Sequence, residues 1–178
     1  MATMTAEDVL EIIDWLEQQG VEVWLNGGWG VDALLGRQTR EHQDLDLTIS
    51  AKDRGAYSLA MQALGFGTYR TDNDFNWVVI DSKGRLVDVH LVDFGKTVMN
   101  TAGENTYGPA GLPFEVGSLD GRGTIAGITV KCETAEFQVR GHTRYPPDAT
   151  DYEDVLALCR AFGIEIPGLF KDLGLHQA

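Results

Sequence analysis

Apolar positions recur along the chain with two periods, and the switches between them mark out the elements. Val9, Ile12, Ile13 and Leu16 fall at i, i+3, i+4 and i+7, which predicts an amphipathic helix over residues 5 to 19. Thr5 and Asp8 open it as a variant capping box, and Gly20 stands where it should end. VEVWLN, residues 21 to 26, reads as the first strand. A GGWG turn follows, then a short helix from about Gly30 to Leu35 closed by Gly36. Residues 52 to 64 read as a second amphipathic helix that buries Leu59, Ala60, Ala63 and Leu64, with Gly65 ending it and a short strand over 66 to 70. FNWVVI and RLVDVHLVDF flank the turn DSKG and predict a hairpin over 75 to 93. A second hairpin spans 124 to 132 with its turn at Ala126-Gly127, and Phe114-Glu115-Val116 reads as a short extra strand. Thereafter the chain turns helical. Thr134 is placed to cap AEFQVR, and Thr150 with Glu153 to open a last helix striped by Val155, Leu158, Cys159 and Phe162 and ended by Gly163.

The period-two segment DLDL carries the chemistry. Residues two apart on a strand share a face, so Asp44 and Asp46 stand side by side while Leu45 and Leu47 point into a core. Two ionised carboxylates on one face repel, and a divalent cation holds them together at least cost. Hard oxygen donors suit Mg²⁺. Upstream, Gly27 and Gly28 let the backbone turn sharply and approach another group. A glycine turn entering a helix offers free N–H groups and a positive dipole end to phosphate oxygens. Arg40 and Arg37 lie in the loop between this turn and the Asp strand, where a planar guanidinium suits bidentate phosphate contact. His42 reads as a substrate contact or a loop residue, with the loop favoured.

In the hairpin's second strand Leu86, Asp88, His90 and Val92 share one face. An unpaired aspartate amid apolar residues is costly to bury. Either this is an edge strand with Asp88 in water, or Asp88 joins Asp44 and Asp46 as metal ligand or general base. His90 points the same way, as a shared base, a substrate contact or a hydrogen-bonded bystander. Residues 95 to 123 carry seven glycines and two prolines, the mark of a functional or disordered loop or of a surface hairpin. Glu104 and Tyr107 there are candidate contacts to a sugar and an amine.

Composition narrows the partners. A chain of 178 residues with 43% hydrophobic content suffices for one domain, with a core over about 5 to 132 and a helical extension over about 133 to 178. A net charge of −13 argues against nucleic acid, whose phosphates need Lys and Arg. The acidic field would attract a cationic small molecule or simply maintain solubility. Cys132 and Cys159 form no zinc pattern or disulfide framework and read as free thiols in a reducing cytoplasm. No run nears the roughly 18 apolar residues of a membrane span, and the acidic start reads as neither signal nor transit peptide.

Gly27-Gly28-Trp29 followed by Asp44-Leu45-Asp46 resembles the nucleotidyltransferase superfamily that includes DNA polymerase β. The longer stretch GGWGVDALLGRQTREHQDLDL is similar to the small antibiotic nucleotidyltransferases of the lincosamide and aminoglycoside 2″ types. His142-Thr143-Arg144-Tyr145 and Asp151-Tyr152-Glu153-Asp154-Val155 again resemble the lincosamide type. The resemblance implies an α+β fold, a mixed sheet flanked by helices with a short C-terminal helical region. It implies a third carboxylate on a strand like that of Asp88, and the segment from His142 near the nucleotide. It also implies Mg²⁺-dependent transfer of AMP from ATP to a hydroxyl, lincosamide ahead of aminoglycoside, in an enzyme that is often a dimer. The alternatives are a non-antibiotic acceptor and a toxin–antitoxin component.

Overall fold

The computed structural model describes residues 3 to 100, 103, 105 to 108 and 114 to 174. Nine strands and six helices follow in the order α1 (Ala6–Gln18), β1 (Val23–Asn26), α2 (Gly27–Leu35), β2 (Asp44–Ser50), α3 (Arg54–Ala63), β3 (Gly67–Asn73), β4 (Asn76–Ile80), β5 (Leu86–Met99), β6 (Asn105–Gly108), β7 (Phe114–Glu115), β8 (Gly121–Ile125), β9 (Ile128–Cys132), α4 (Ala135–Gly141), α5 (Ala149–Phe162) and α6 (Gly168–Gly174). The strands form one mixed sheet in the order β3-β4-β5-β2-β1-β9-β8, with β6 and β7 continuing from the far end of β5. β2 and β5 run parallel, as do β1 and β9, whereas β1 and β2 are antiparallel. This is the expected mixed α+β sheet flanked by helices.

The alternation in β2 and β5 divides the sheet's faces. Leu45, Leu47, Val87 and Val89 are fully buried in the main core, with Val9, Ile12 and Leu16 of α1 and Tyr57 and Met61 of α3. α2 joins this core to a smaller one. Its Trp29 and Ala33 enter the first, while Val31 packs with Ala135, Val139, Val155 and Leu158 of α4 and α5. Thr5 and Asp8 form the capping box of α1 as expected. At Ala126 (φ 48°) and Gly127 (φ 80°) two left-handed residues make the tight β8–β9 turn.

Four local readings shift. The helix after β1 begins at Gly27 rather than Gly30, because extended Asn26 takes the cap position and the glycines form the first turn. α3 buries Tyr57, Ala60 and Met61 while Leu59 lies 70% exposed and Ala63 is also exposed, so the stripe sits on the neighbouring face. α5 is capped by Asp148 with Asp151, two residues earlier than Thr150 with Glu153, and Phe162 is exposed. The described residues of the glycine-rich segment form strands: β5 extends to Met99 and pairs with β6, which pairs with β7. Among the described residues, no helix is long and apolar enough to cross a membrane.

β8 crosses the back of α2 closely enough that a Cβ on Gly123 would lie 2.2 Å from the Ala33 carbonyl oxygen and 2.8 Å from the Leu34 nitrogen. Backbone cannot yield as a flexible side chain does. Gly123→Ala is expected to destabilise the protein by about 2 kcal/mol, the scale of overpacking, read as a lower urea midpoint at unchanged slope.

Candidate active site

The register of three strands assembles the site. In the β1–β2 pair Asn26 faces Asp46, and in the parallel β2–β5 pair Asp46 faces Asp88 and Thr48 faces His90. With side chains alternating, these polar groups share the face opposite the leucines. One donor atom from each of Asp46, Asp88 and His90 lies within 4.8 Å of the others. Asp44 sits at the open end of β2, exposed, and stays within electrostatic reach. Partial burial and the charge of Asp88 both raise its carboxyl pKa.

Asp46 is the most stressed of these groups. Burial pushes its carboxyl well above the usual range, and Asp44, Asp88 and Glu133 push it further. Clustered carboxylates disfavour one another's ionised form unless a cation offsets them. The donor set of hard oxygens with one imidazole nitrogen fits a divalent cation.

The start of α2 lies directly against this cluster. Gly27 has φ +54°, and a Cβ there would lie 2.1 Å from Asp46 Oδ2, so only glycine allows helix and carboxylate to meet. Asn26 makes no side-chain cap. Its Nδ2 instead donates to Thr48 Oγ1 at 3.1 Å, beside Glu133 on the same cavity lining. The leading N–H groups of α2 are thus free of a cap, and the positive end of the helix faces the carboxylates.

The loop before β2 folds back onto the same helix end. Arg40 bonds Asp154 of α5 at 2.9 Å and His42 Nδ1 at 3.0 Å. His42 is a loop residue as expected, but it is buried on Trp29 and bonded to Asp32, so it is a fixed part of the fold. Arg37 is exposed beyond the end of α2 and is not drawn into this cluster.

Asp88 is anchored on β5. Asn76 Nδ2 donates to its Oδ1 at 2.6 Å, and His90 Nε2 lies 3.6 Å from the same oxygen. Burial lowers the His90 pKa against the opposing pull of Asp88, favouring the neutral ring. The edge-strand alternative is closed, since β5 lies between β4 and β2. Tyr107 packs on Phe94 and lines a separate cavity with Glu22 and Trp24, away from the carboxylates. Glu104 lies outside the described residues.

A cavity of about 300 Å³ opens over Asp46 and His90. Phe114, Phe137 and Tyr145 wall it, and Asn26, Glu133 and Gln138 supply polar groups. Glu133 had no signal in the sequence beyond a lone charge after a strand. Its N–H pairs with Leu25, which buries it at the cavity floor. Burial raises its pKa to about 8. His142 and Tyr145, on the segment after α4, both bond Asp151 and border the same cavity.

Comparison with known proteins fits this geometry. A sequence model of the aminoglycoside-2″-adenylyltransferase family matches residues 8–158. The chain belongs to that family. A lincosamide resistance protein of Staphylococcus haemolyticus is 36% identical over 85% of this chain and 92% of its own length. A 2″-aminoglycoside nucleotidyltransferase of Klebsiella pneumoniae is 29% identical over 76% of this chain and 71% of its own. Among solved structures, the lincomycin-bound lincosamide antibiotic adenylyltransferase LnuA superposes with a TM-score of 0.74 at 25% identity, covering 88% of this chain and 98% of that one. The nucleotidyltransferase reading and the fold stand on these likenesses. Within the family pattern, the glycine pair and the carboxylates of this chain meet at the start of α2.

The charge cluster makes stability depend on pH and metal. The Glu133 pKa is raised to about 8 in the folded state, so the folded protein holds a proton that the unfolded chain has lost. That contribution is complete below the ordinary value of 4.5 and is lost as pH rises through about 8. Glu133→Gln is therefore expected to flatten the fall in thermal midpoint between these values. In EDTA, Asp46→Asn should raise the midpoint by relieving repulsion, and the rise expected for the wild type in a millimolar divalent cation should be lost in the variant.

Proposed function

We propose that this protein transfers AMP from ATP to a hydroxyl of a small-molecule antibiotic, with a lincosamide as the favoured acceptor. The observation that carries the reading is the meeting of Gly27 with Asp46, opposite Asp88. A phosphate cradle and a carboxylate cluster then lie in contact, beside a cavity able to take a second substrate. The triphosphate lies along the open N–H groups of α2, with Arg40 and, further out, Arg37 as its cationic contacts. Asp44, Asp46 and Asp88 are the residues that would hold Mg²⁺. That ion, when bound, neutralises charge on the phosphates and on the leaving pyrophosphate.

The acceptor hydroxyl approaches from the β5 side. Asp88, held by Asn76, accepts its proton as the oxygen attacks the α-phosphorus, and pyrophosphate leaves in line. Neutral His90 beside it can take a hydrogen bond from acceptor or solvent. The aromatic walls bury the apolar part of an acceptor and keep water from the α-phosphorus. These walls favour a lincosamide, with one basic amine and an apolar tail, over a polycationic aminoglycoside. The longer and closer match to the lincosamide resistance protein points the same way. The protein works in the cytoplasm, where ATP is present, and a homodimer suits the family.

Pyrophosphate release from Mg²⁺–ATP with lincomycin, and separately with kanamycin, tests this. Release with lincomycin is expected, and Asp88→Asn should lower kcat by about 10²- to 10⁴-fold, the span of a lost general base, with the KM for ATP little changed. Release with kanamycin alone would assign the aminoglycoside branch. No release with either drug while ATP binds would point to a non-antibiotic acceptor or a toxin–antitoxin role.

A further inference from the structure

The face of α2's first turn carries a buried chain of hydrogen bonds whose members lie outside the carboxylate cluster. It runs from Asp32 through His42 and Arg40 to Asp154. Arginine can only donate, so in the 3.0 Å contact between Arg40 and His42 the imidazole Nδ1 is the acceptor. The ring proton then sits on Nε2 and is donated to Asp32 Oδ2 at 2.5 Å. Asp32 is itself fixed, since Thr39 gives its Oδ1 both its N–H, at 3.0 Å, and its hydroxyl, at 2.5 Å. His42 is 2% exposed and leans on Trp29 with ring centroids 4.6 Å apart, so the imidazole cannot swing away.

At the other end Asp154 pulls on the second terminal nitrogen of Arg40, at 2.9 Å. These bonds on the two terminal nitrogens, with a longer one of 3.4 Å from the His42-bound nitrogen to the Glu41 carbonyl, set the plane of the guanidinium. They hold it against the second residue of α2: a Cβ on Gly28 would lie 2.5 Å from His42 Nδ1 and 2.6 Å from the Arg40 nitrogen that bonds Asp154. The third donor of the fork, Nε, is buried without a partner among the described residues. A cation with an open donor, clamped beside an uncapped helix N-terminus, is matched to an anionic oxygen.

We propose that His42 is a positioning residue of the nucleotide site: as a neutral acceptor oriented by Asp32, it holds the Arg40 guanidinium against the start of α2, ready for a phosphate of the nucleotide, with Asp154 as the opposing anchor. This rests on the nucleotidyl-transfer reading. With the imidazole acceptor gone, the charged Asp154 bond outweighs the long Glu41 carbonyl contact and draws the guanidinium toward α5.

The test compares His42→Gln with His42→Asn. The longer amide reaches Asp32 and leaves the Nδ1 position without an acceptor. The shorter one places its Oδ1 where Nδ1 was. Calorimetry of Mg²⁺–ATP binding alone and steady-state kinetics with the active drug are both read, with thermal midpoints alongside. His42→Gln is expected to weaken ATP binding and raise its KM by about tenfold, the scale of one misplaced charged hydrogen bond, with acceptor KM and kcat little moved. His42→Asn should restore most of the affinity, and Arg40→Ala/His42→Gln should bind ATP no worse than Arg40→Ala. Additive losses in the double variant, or equal losses for Gln and Asn at equal thermal midpoint, would overturn the proposal. If the wild type binds ATP but transfers it to no drug, the antibiotic reading fails while the binding data still decide the role of His42. If it binds no nucleotide, both fall.

Discussion

Asp44, Asp46 and Asp88 repel one another on one face of the sheet, and burial adds to the cost of charging Asp44 and Asp46. No hydrophobic contact requires these groups to be together. They are held by the backbone ladder, because the registers of β1, β2 and β5 place Asn26, Asp46 and Asp88 in a row. The leucines and valines that alternate with them fill the main core and fix those registers, since a slip by one residue would turn every buried side chain outward. The apolar face thus sustains the strain on the polar face. Under the proposed function, a cation and a phosphorylated substrate would release that strain on binding.

The second constraint is close approach. Gly27 and Gly28 are small because Asp46 on one side and Arg40 with His42 on the other occupy the space a Cβ would need. The positive end of α2, the carboxylates and the guanidinium can therefore converge within a few ångströms. Asn26 adds to this by spending its amide on Thr48 instead of on the helix. The acidity of the whole chain, −13 overall, would not oppose the proposed phosphate binding, because the local field would be set by the helix end, Arg40 and a cation held by the carboxylates.

The C-terminal helices complete the site from above. α4 supplies Phe137 and Gln138 to the cavity, the segment after it supplies His142 and Tyr145, and Asp154 of α5 reaches down to Arg40. The small core between α2, α4 and α5 locks these helices to the glycine helix.

By itself the sequence determined the alternating strands, the capping box at Thr5, the hairpin turn at Ala126-Gly127 and the pairing of glycines with carboxylates. These are local: periods, caps and turns depend on residues a few positions apart. The shared motif also named the family and the three aspartates. The tertiary structure alone decided that Asp88 stands opposite Asp46 on a central strand, that His42 is buried against Trp29 and that Tyr107 faces a different cavity. It also revealed Glu133, Asp32 and Asp154, whose roles arise from partners 10 to 114 positions away or from burial under a helix. Such contacts leave no periodic trace, because a single charged residue looks the same in a sequence whether it meets water or another charge.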